Sequence, residues 1–324
     1  TELLTDGGRP LLMILLAGLI GAIVWNLFTW LRGLPSSSSH AMFGGLIGAT
    51  IAGVGVDGVK WVGEGAKLDG VVGKVILPGL ASPLIAVLVA MVGTWLVFRI
   101  ARGVAEPILD KGFRWGQVGT ASLVSLAHGA NDAQKTMGVI TLALIASGHW
   151  VDTHAIPLWV KVTCALAIAL GTWLGGWRII RTMGKGLVEI SSPQGMAAEA
   201  SSAAVILSSS QLGFALSTTH VATGSILGSG LGRRAEVRWS IAGRMGLAWL
   251  ITLPSAAAVG AGMWWIGTTL GPWLGPVTIF AILCGLALWM WLHSRIKPIG
   301  HHNVNDDWEA PDTPAALQTE EVAR

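Results

Sequence analysis

Four polar residues stand together inside an apolar stretch, SLVSLAHGANDAQKTMGVI, which covers residues 122–140: Asn131, Asp132, Gln134 and Lys135. Asp132 and Lys135 are three residues apart, so on a helix their carboxylate and ammonium share one face and can pair. Ionisable side chains in a membrane segment are costly and mark ion or substrate sites by default, although a buried structural ion pair is the plain alternative. This stretch is therefore the first candidate for a charged binding site.

Two clusters of hydroxyl side chains form a second candidate, because their surroundings repeat. GLPSSSSHAMFGGLIG at 33–48 and GFALSTTHVATGSILG at 213–228 align on their histidines, 180 residues apart. Hydroxyls can donate hydrogen bonds to an oxyanion such as phosphate, accept them from a protonated phosphate, or ligate a cation. Helix packing alone would explain one such segment, but not two in register. The hydroxyl clusters are Ser36, Ser37, Ser38 and Ser39, and Ser217, Thr218 and Thr219.

Three histidines accompany these clusters. His40 and His220 end the two hydroxyl runs, and two roles are open for them: proton relay, since imidazole titrates near neutral pH, or capping of backbone groups at a turn. For His128, a structural role is the preferred interpretation. With Asp132, four residues on, it could serve as acid and base in a membrane enzyme. No metal-ligand cluster or activated nucleophile supports that alternative, and it leaves the repeat unexplained.

The elements that carry these residues are predicted to be membrane helices. The chain is 52% hydrophobic and only 12% charged, whereas soluble domains carry about 25% charged residues. Several apolar runs reach the roughly 20 residues that cross a bilayer as a helix. Because a spanning segment must satisfy its own backbone, the sequence predicts an all-α polytopic protein with the lipid bilayer as its partner. The runs are Leu11–Leu31, Leu80–Phe98, Ile156–Gly175, Ile241–Ile266 and Trp273–Leu292.

Charged loops give a predicted orientation. Lysines and arginines concentrate at 99–114, 178–185, 233–238 and 295–297, which we expect on the cytoplasmic side of the inner membrane together with the C-terminus. The net charge of +3 is explained by these loops, so no nucleic-acid partner is expected. Residues 299–324 are polar and acidic and are predicted to be a disordered tail, in which His301 and His302 are a weak metal signal.

The charge pattern also predicts two re-entrant hairpins. Residues 196–231 are apolar but lie between two basic flanks, so Ala200–Leu231 is expected to enter and leave on the cytoplasmic side, turning near QLGFALSTTH. The first hairpin should open outward, which gives an inverted repeat with its site near the midplane. Each hydroxyl cluster would open the second half of its hairpin, where the helix dipole favours anions. The predicted divisions are 1–114, 115–298 and the tail, with a break allowed at Gly129 and Gly138.

The segments HGANDAQKTMG, GLPSSSSHA and LSTTHVATGSILG together resemble the inorganic phosphate transporter (PiT) family of secondary transporters, over nearly the whole membrane part. The resemblance implies an inverted-repeat permease that moves phosphate with a cation. It also implies that Asn131, Asp132 and the hydroxyl clusters Ser36–Ser39 and Ser217–Thr219 lie near the bound ion.

The same resemblance bears on the coupling cation. Sodium-coupled family members have Ala-Asn where this chain has Gln134 and Lys135. The Gln-Lys form resembles bacterial members that use protons and accept metal–phosphate complexes. A proton is therefore the expected coupling cation and sodium the alternative, with Lys135 supplying a fixed charge where sodium would sit. No organic cofactor is expected.

The chain departs from the family pattern in carrying one GAND-type motif instead of two. Applying the 180-residue offset to Asn131 places the second copy about 50 residues before Thr1. The expectation is that the chain is truncated at its N-terminus. A permease for another oxyanion such as sulfate is the main alternative function, and a channel is disfavoured because no polar pore-lining stripe is visible. The sequence leaves a homodimer open.

Overall fold

The computed structural model describes residues 8–63, 69–102, 106–214 and 216–304, without the side chains of 106–110. Within these ranges all regular secondary structure is helical, apart from one isolated antiparallel bridge between Val188 and Val237. Two short π-helical turns, Val72–Ile76 and Thr182–Gly186, adjoin α3 and α6. The helices are α1 (Arg9–Leu31), α2 (Ser38–Val54), α3 (Leu77–Ile100), α4 (Glu106–Ala146), α5 (Leu158–Leu174), α6 (Trp177–Arg181), α7 (Ser192–Gln211), α8 (Thr218–Arg233), α9 (Trp239–Thr269) and α10 (Gly271–Ser294).

Membrane-spanning helices dominate this part of the chain. Four segments are long and apolar enough to cross a bilayer, and a fifth is added if α5 and the segment Trp177–Gly186, bent by 63°, form one span. Large apolar side chains such as Leu84 and Leu250 are exposed on the outer faces of these helices, as expected where lipid is the solvent. The predicted all-α polytopic class is confirmed. The four segments are Arg9–Leu31, Val72–Ile100, Trp239–Thr269 and Gly271–Ser294.

Two helix pairs, α1–α2 and α7–α8, are each interrupted by a turn. The turn glycines Gly33 and Gly213 adopt left-handed backbone angles, with φ of 65° and 68°, which glycine permits without steric cost. The second helix of each pair begins at its hydroxyl cluster, where a serine side chain caps the helix: Ser37 Oγ accepts from the His40 N–H and Ser217 Oγ from the His220 N–H. The predicted break near QLGFALSTTH is present. The re-entrant course through the membrane stays a prediction.

Each interrupted pair packs against the span that follows the other pair. Helices α1 and α2 lie on α9, and α7 and α8 lie on α3. A methyl group added at Gly44 of α2 would lie 2.5 Å from the Leu253 carbonyl oxygen, and one at Gly224 of α8 would lie 2.5 Å from that of Pro83. Small residues that allow such close backbone approach are typical of membrane helix interfaces. The packing therefore repeats with the sequence, while the inverted orientation of the repeats stays a prediction.

The turn of each pair is also held by a side chain from a π-helical turn. Thr182 Oγ1 donates to the Gly33 carbonyl at 2.7 Å, and Lys74 Nζ donates to the Gly213 carbonyl at 3.0 Å. These are called the tip contacts below. They connect both turns to neighbouring segments of the chain, so neither turn is free.

Helix α4 differs from the expectation of a break. It is continuous from Glu106 to Ala146 and passes through Gly129 and Gly138. Neither glycine has a neighbouring group within 4 Å that would insert into the helix, and glycine permits a break without forcing one. The helix also crosses residues 114 and 115, so no change of element marks the predicted division there, which stays a prediction.

The loop between α2 and α3 and the C-terminal segment are only partly described. Lys60 Nζ donates to Asp69 Oδ2 at 2.7 Å, and this hydrogen bond lowers the pKa of the Asp69 carboxyl. Cys164 and Cys284 are both free thiols. His301 and His302 pack edge to face, and no group of three or more metal-ligating side chains occurs in the described ranges. The predicted tail lies outside the described residues from 305 onward.

Candidate functional site

The Lys135 ammonium lies where three parts of the fold meet. Its Nζ donates to Ser39 Oγ at 2.7 Å, to the Leu216 carbonyl oxygen at 2.9 Å and to Asp132 Oδ1 at 3.3 Å. Ser39 belongs to α2, Leu216 precedes α8, and Asp132 is on α4. An ammonium has three protons to donate, and these three acceptors take all of them. Lys135 therefore links both interrupted pairs to α4.

The Asp132 carboxylate completes this cluster. Its Oδ2 accepts from Thr218 Oγ1 at 3.2 Å and lies 3.1 Å from His128 Nε2. Only 19% of the Asp132 side chain and 11% of the Lys135 side chain are exposed, so the pair is shielded from solvent. The structure places Asp132 beside Lys135 and within reach of the second hydroxyl cluster, as the sequence predicts. Their role in binding stays a prediction.

Asn131 faces a different helix from Asp132. Its Nδ2 donates to Ser210 Oγ in α7 at 2.9 Å. The side chain is buried, and its Oδ1 has no hydrogen-bond partner in the described part of the chain. Asn131 therefore contributes one free acceptor at the interface of α4 and α7, rather than a second ligand beside Asp132.

The hydroxyl clusters divide into several roles. Ser37 and Ser217 are capping residues, whereas Ser39 and Thr218 contact the Lys135–Asp132 pair. Ser38 is exposed. Ser36 Oγ lies 2.7 Å from Thr29 Oγ1 and lines a cavity of about 300 Å³ together with Thr219 and His128. Because His128 also contacts Asp132, this cavity adjoins the charged cluster.

Two residues of this cavity were missed by sequence reasoning. Asn26 and Thr29 lie one turn apart on α1 and both line the cavity. They sit inside an apolar run, and Thr29 also donates to a carbonyl of its own helix, which is common for threonine in any helix. The only available signal was their spacing of three residues.

Gln134 does not join the cluster. It is exposed, and among the described residues its side chain has no hydrogen bond. It is two residues from Asp132 and so lies on a different side of α4. The predicted role of Gln134 in coupling gains no support from these contacts.

His40 and His220 meet between the two interrupted pairs. Their ring centroids are 4.8 Å apart in an edge-to-face arrangement, and both side chains are buried. His220 Nδ1 lies 3.1 Å from the Gly79 carbonyl oxygen and its ring packs on Trp249. Neither Nε2 atom has a hydrogen-bond partner in the described ranges. The backbone contact fits the structural role, and the two unpartnered nitrogens keep the proton-relay role open.

Glu199 is a second acidic residue that the sequence analysis passed over. It lies on α7, half-buried, and its Oε2 accepts from Thr120 Oγ1 of α4 at 2.7 Å. A single carboxylate in the apolar segment MAAEASSAAVIL was the signal available, since intramembrane acids are functional candidates by default.

Comparison with known proteins decides the family. The model of the phosphate transporter family matches residues 3–260, which include every residue of the site described above. The chain belongs to the phosphate transporter family.

Relatives of this family are similar over most of the chain. A probable low-affinity inorganic phosphate transporter of Mycobacterium tuberculosis (strain ATCC 25618 / H37Rv) is 60% identical over 308 residues, which are 94% of this chain and 72% of that protein. One of Bacillus subtilis (strain 168) is 41% identical over 250 residues, 77% of this chain and 73% of that protein. These relatives are named as transporters and not as enzymes.

A solved structure shares the fold. It is described as the sodium-dependent phosphate transporter and matches with a TM-score of 0.67. The match covers 79% of this chain and 80% of that chain at 21% sequence identity. At this identity the likeness supports the arrangement of helices and not the identity of a coupling ion.

Proposed function

We propose that this phosphate transporter family member is a secondary active transporter that moves inorganic phosphate across the cytoplasmic membrane together with a cation, with the proton favoured. The observation that carries the proposal is the position of Lys135, which contacts Ser39 and Leu216 from the two interrupted helix pairs. Because the Lys135 ammonium contacts both helix pairs, a ligand that binds between the pairs can interact with it.

The cavity beside this cluster is the proposed phosphate compartment. Ser36, Thr219 and His128 line it, with Asn26 and Thr29, and its volume is about 300 Å³. The hydroxyl and amide groups among them can donate to and accept from phosphate, and the Lys135 ammonium of the adjoining cluster can offset its charge. Ser38, Asn131 and Gln134 stay candidates from the resemblance alone.

Charge balance gives the proposed coupling. With the site empty, Asp132 and Lys135 neutralise each other at 3.3 Å. Phosphate brings one or two negative charges, and an unpaired charge at membrane depth costs several kcal/mol. Protonation of Asp132 releases the ammonium to phosphate, so proton and phosphate enter together. A metal–phosphate complex would bring its own compensating charge.

The histidine pair offers a second place for a transferred proton. The two Nε2 atoms of His40 and His220 have no partner in the described residues and their rings touch. We include them as proton carriers between the two helix pairs. The alternative is that His40 and His220 only stabilise the turns by capping backbone groups. In that case, replacing them by residues that do not titrate should leave the coupling normal.

Sodium coupling, and transport of another oxyanion such as sulfate, are the alternatives. The sodium-dependent neighbour shares the fold only, whereas this chain carries Lys135 in the charged cluster. A cytoplasmic C-terminus remains part of the proposal and rests on the loop charges, and a homodimer is left open.

Uptake by purified protein in proteoliposomes tests the transport class and the substrate. We expect radiolabelled phosphate to accumulate above its external concentration when an inward pH gradient is imposed, and excess sulfate to leave uptake unchanged. Protein-free liposomes and an ionophore that collapses the gradient are the controls. Equilibration without accumulation would indicate a channel, and equal inhibition by sulfate and unlabelled phosphate would indicate a general oxyanion permease.

A further inference from the structure

A second polar cavity lies where the α7–α8 pair begins and ends. Its volume is about 400 Å³, and it is bordered by the first turn of α7 and by the segment between α8 and α9. It shares no lining residue with the cavity beside Lys135. The residues that matter for its chemistry are Glu189, Gln194, Arg233, Arg234, Glu236 and Arg238.

The wall of this cavity is held by the isolated β-bridge. Val188 and Val237 pair, and the Arg238 N–H donates to the Leu187 carbonyl at 3.1 Å. The Arg238 guanidinium donates to the Lys185 carbonyl at 2.6 Å. Leu187 and Val188 are fully buried. The arginines are therefore displayed on a fixed frame rather than on a free loop.

Gln194 gives the cavity a buried donor without a partner. Its Oε1 accepts from the Ser191 N–H at 3.1 Å, from Ser191 Oγ at 2.8 Å and from Arg233 Nη1 at 3.3 Å. Its Nε2 has no hydrogen-bond partner in the described ranges, although the residue is only 1% exposed. A buried amide N–H without a hydrogen bond costs free energy, so a ligand that offers an acceptor here would bind favourably.

Arg234 supplies the available charge. Arg233 is engaged with Ser191 and Gln194, and Arg238 with Lys185 and, at 3.9 Å, Glu189. Arg234 is exposed, and among the described residues its guanidinium has no partner. Three arginines face two glutamates in the lining, so the cavity carries a positive excess. A guanidinium presents paired donors that match phosphate oxygens.

We propose that this cavity is a second anion site, which binds a phosphate group at the base of the α7–α8 pair. Its volume exceeds what one phosphate needs, so the group can belong to a larger molecule. Two sources share this chemistry: the headgroup of an anionic phospholipid, and a soluble phosphate compound. Trp239, exposed at the start of α9 beside Arg238, is of the type found at membrane interfaces. The inference does not depend on transport at the Lys135 site.

Binding to an Arg234 variant tests the site. The protein is purified and placed in nanodiscs of neutral phosphatidylcholine. Radiolabelled inorganic pyrophosphate is the soluble probe, and phosphatidylglycerol, followed by native mass spectrometry, is the lipid probe. Arg234→Ala is compared with Arg99→Ala, which removes an exposed arginine from the end of α3. Both are repeated in a Lys135→Ala background, so that a failure of the proposed transport site gives a different result.

We expect Arg234→Ala to weaken binding of at least one probe about tenfold or more, as the loss of a charge-assisted contact implies, while Arg99→Ala does not. Loss of phosphatidylglycerol alone identifies the lipid headgroup, and loss of pyrophosphate alone identifies a soluble compound. Arg234 has a left-handed φ of 60°, so Arg234→Gly serves as a second variant that removes the charge without backbone strain. Unchanged binding of both probes in both Arg234 variants overturns the proposal.

Discussion

At the scale of single residues, two buried charges of the candidate site lie side by side. Lys135 donates to Asp132, Ser39 and the Leu216 carbonyl, so its charge is offset by one carboxylate and two neutral acceptors. Removing one partner of a buried ion pair leaves the other uncompensated, at a cost of about 3–5 kcal/mol. The ion pair is therefore stable while no ligand is bound, and a charged ligand or a proton that reaches it changes its charge balance.

Replacement of Lys135 by alanine should weaken phosphate binding. The substitution removes the only cation that contacts Ser39 and Leu216 among the described residues, and we expect the affinity to fall about tenfold or more, or uptake to require an added cation. Equilibrium binding of radiolabelled phosphate measures the change. Lys161→Ala, at an exposed lysine in the first turn of α5, is the matched control. Equal affinities in the two variants would remove Lys135 from the site.

Within the candidate site, the charged residues were easier to recognise from the sequence than the neutral ones. Asp132 and Lys135 were visible because charges are rare in apolar segments, and Ser39 and Thr218 because their clusters repeat. Asn26 and Thr29 were not, since both are neutral and their spacing of three residues is too common on a helix to single them out. Gln134 was included through its place in a motif, although its side chain is exposed on another side of α4.

At the scale of helices, close glycine contacts hold the interrupted pairs in place. Gly224 and Gly228 of α8 contact backbone carbonyls of α3, as Gly44 and Gly48 of α2 contact those of α9. The tip contacts from Lys74 and Thr182 hold the turns. At the glycine positions the two backbones approach directly, so a larger side chain would force the helices apart.

Substitution of Gly228 by alanine should destabilise the protein. The added methyl group would collide with the Val87 carbonyl, and such overpacking costs about 1–3 kcal/mol. Gly243→Ala in α9, where no neighbour lies within 4 Å, should be neutral or slightly stabilising because alanine favours helix. Thermal unfolding in detergent compares the two midpoints. A fall of the same size in both variants would contradict the packing account.

Helix ends could be predicted from the sequence only where several helix-breaking signals occur together. The turn before α8 could be predicted because glycine, hydroxyls and basic flanks coincide there. The continuity of α4 through Gly129 and Gly138 could not, since whether a glycine breaks a helix depends on the neighbours it meets. The tip contacts join segments 139 and 149 residues apart, and no local pattern reports them.

At the scale of the whole molecule, the loop charges predict how the chain is oriented in the membrane. Both flanks of the α7–α8 pair are basic, whereas the loop at 148–157 has no lysine or arginine. If both ends of the α7–α8 pair lie on the cytoplasmic side, a reagent that cannot cross the membrane should reach its flanks only from inside the cell.

Cysteine labelling of intact cells should show this arrangement. Starting from a variant without Cys164 and Cys284, Val151→Cys is expected to react with an impermeant maleimide from outside, because Val151 is 90% exposed in the loop at 148–157, which is predicted to lie outside. Glu189→Cys and Glu236→Cys, exposed on the two flanks, should react only after the membrane is opened. Reaction of just one flank from outside would mean that the α7–α8 pair crosses the membrane.

Proton coupling at the Asp132–Lys135 pair is tested most directly by changing the gradient that drives uptake. Phosphate uptake into proteoliposomes is measured with an imposed pH gradient in the absence of sodium, and then with an imposed sodium gradient at equal pH. The account predicts accumulation with the pH gradient alone. It also predicts that Asp132→Asn, which keeps the shape but cannot exchange the proton, abolishes accumulation while retaining measurable phosphate binding. Accumulation driven by sodium and not by the pH gradient, or undiminished accumulation in Asp132→Asn, would contradict it.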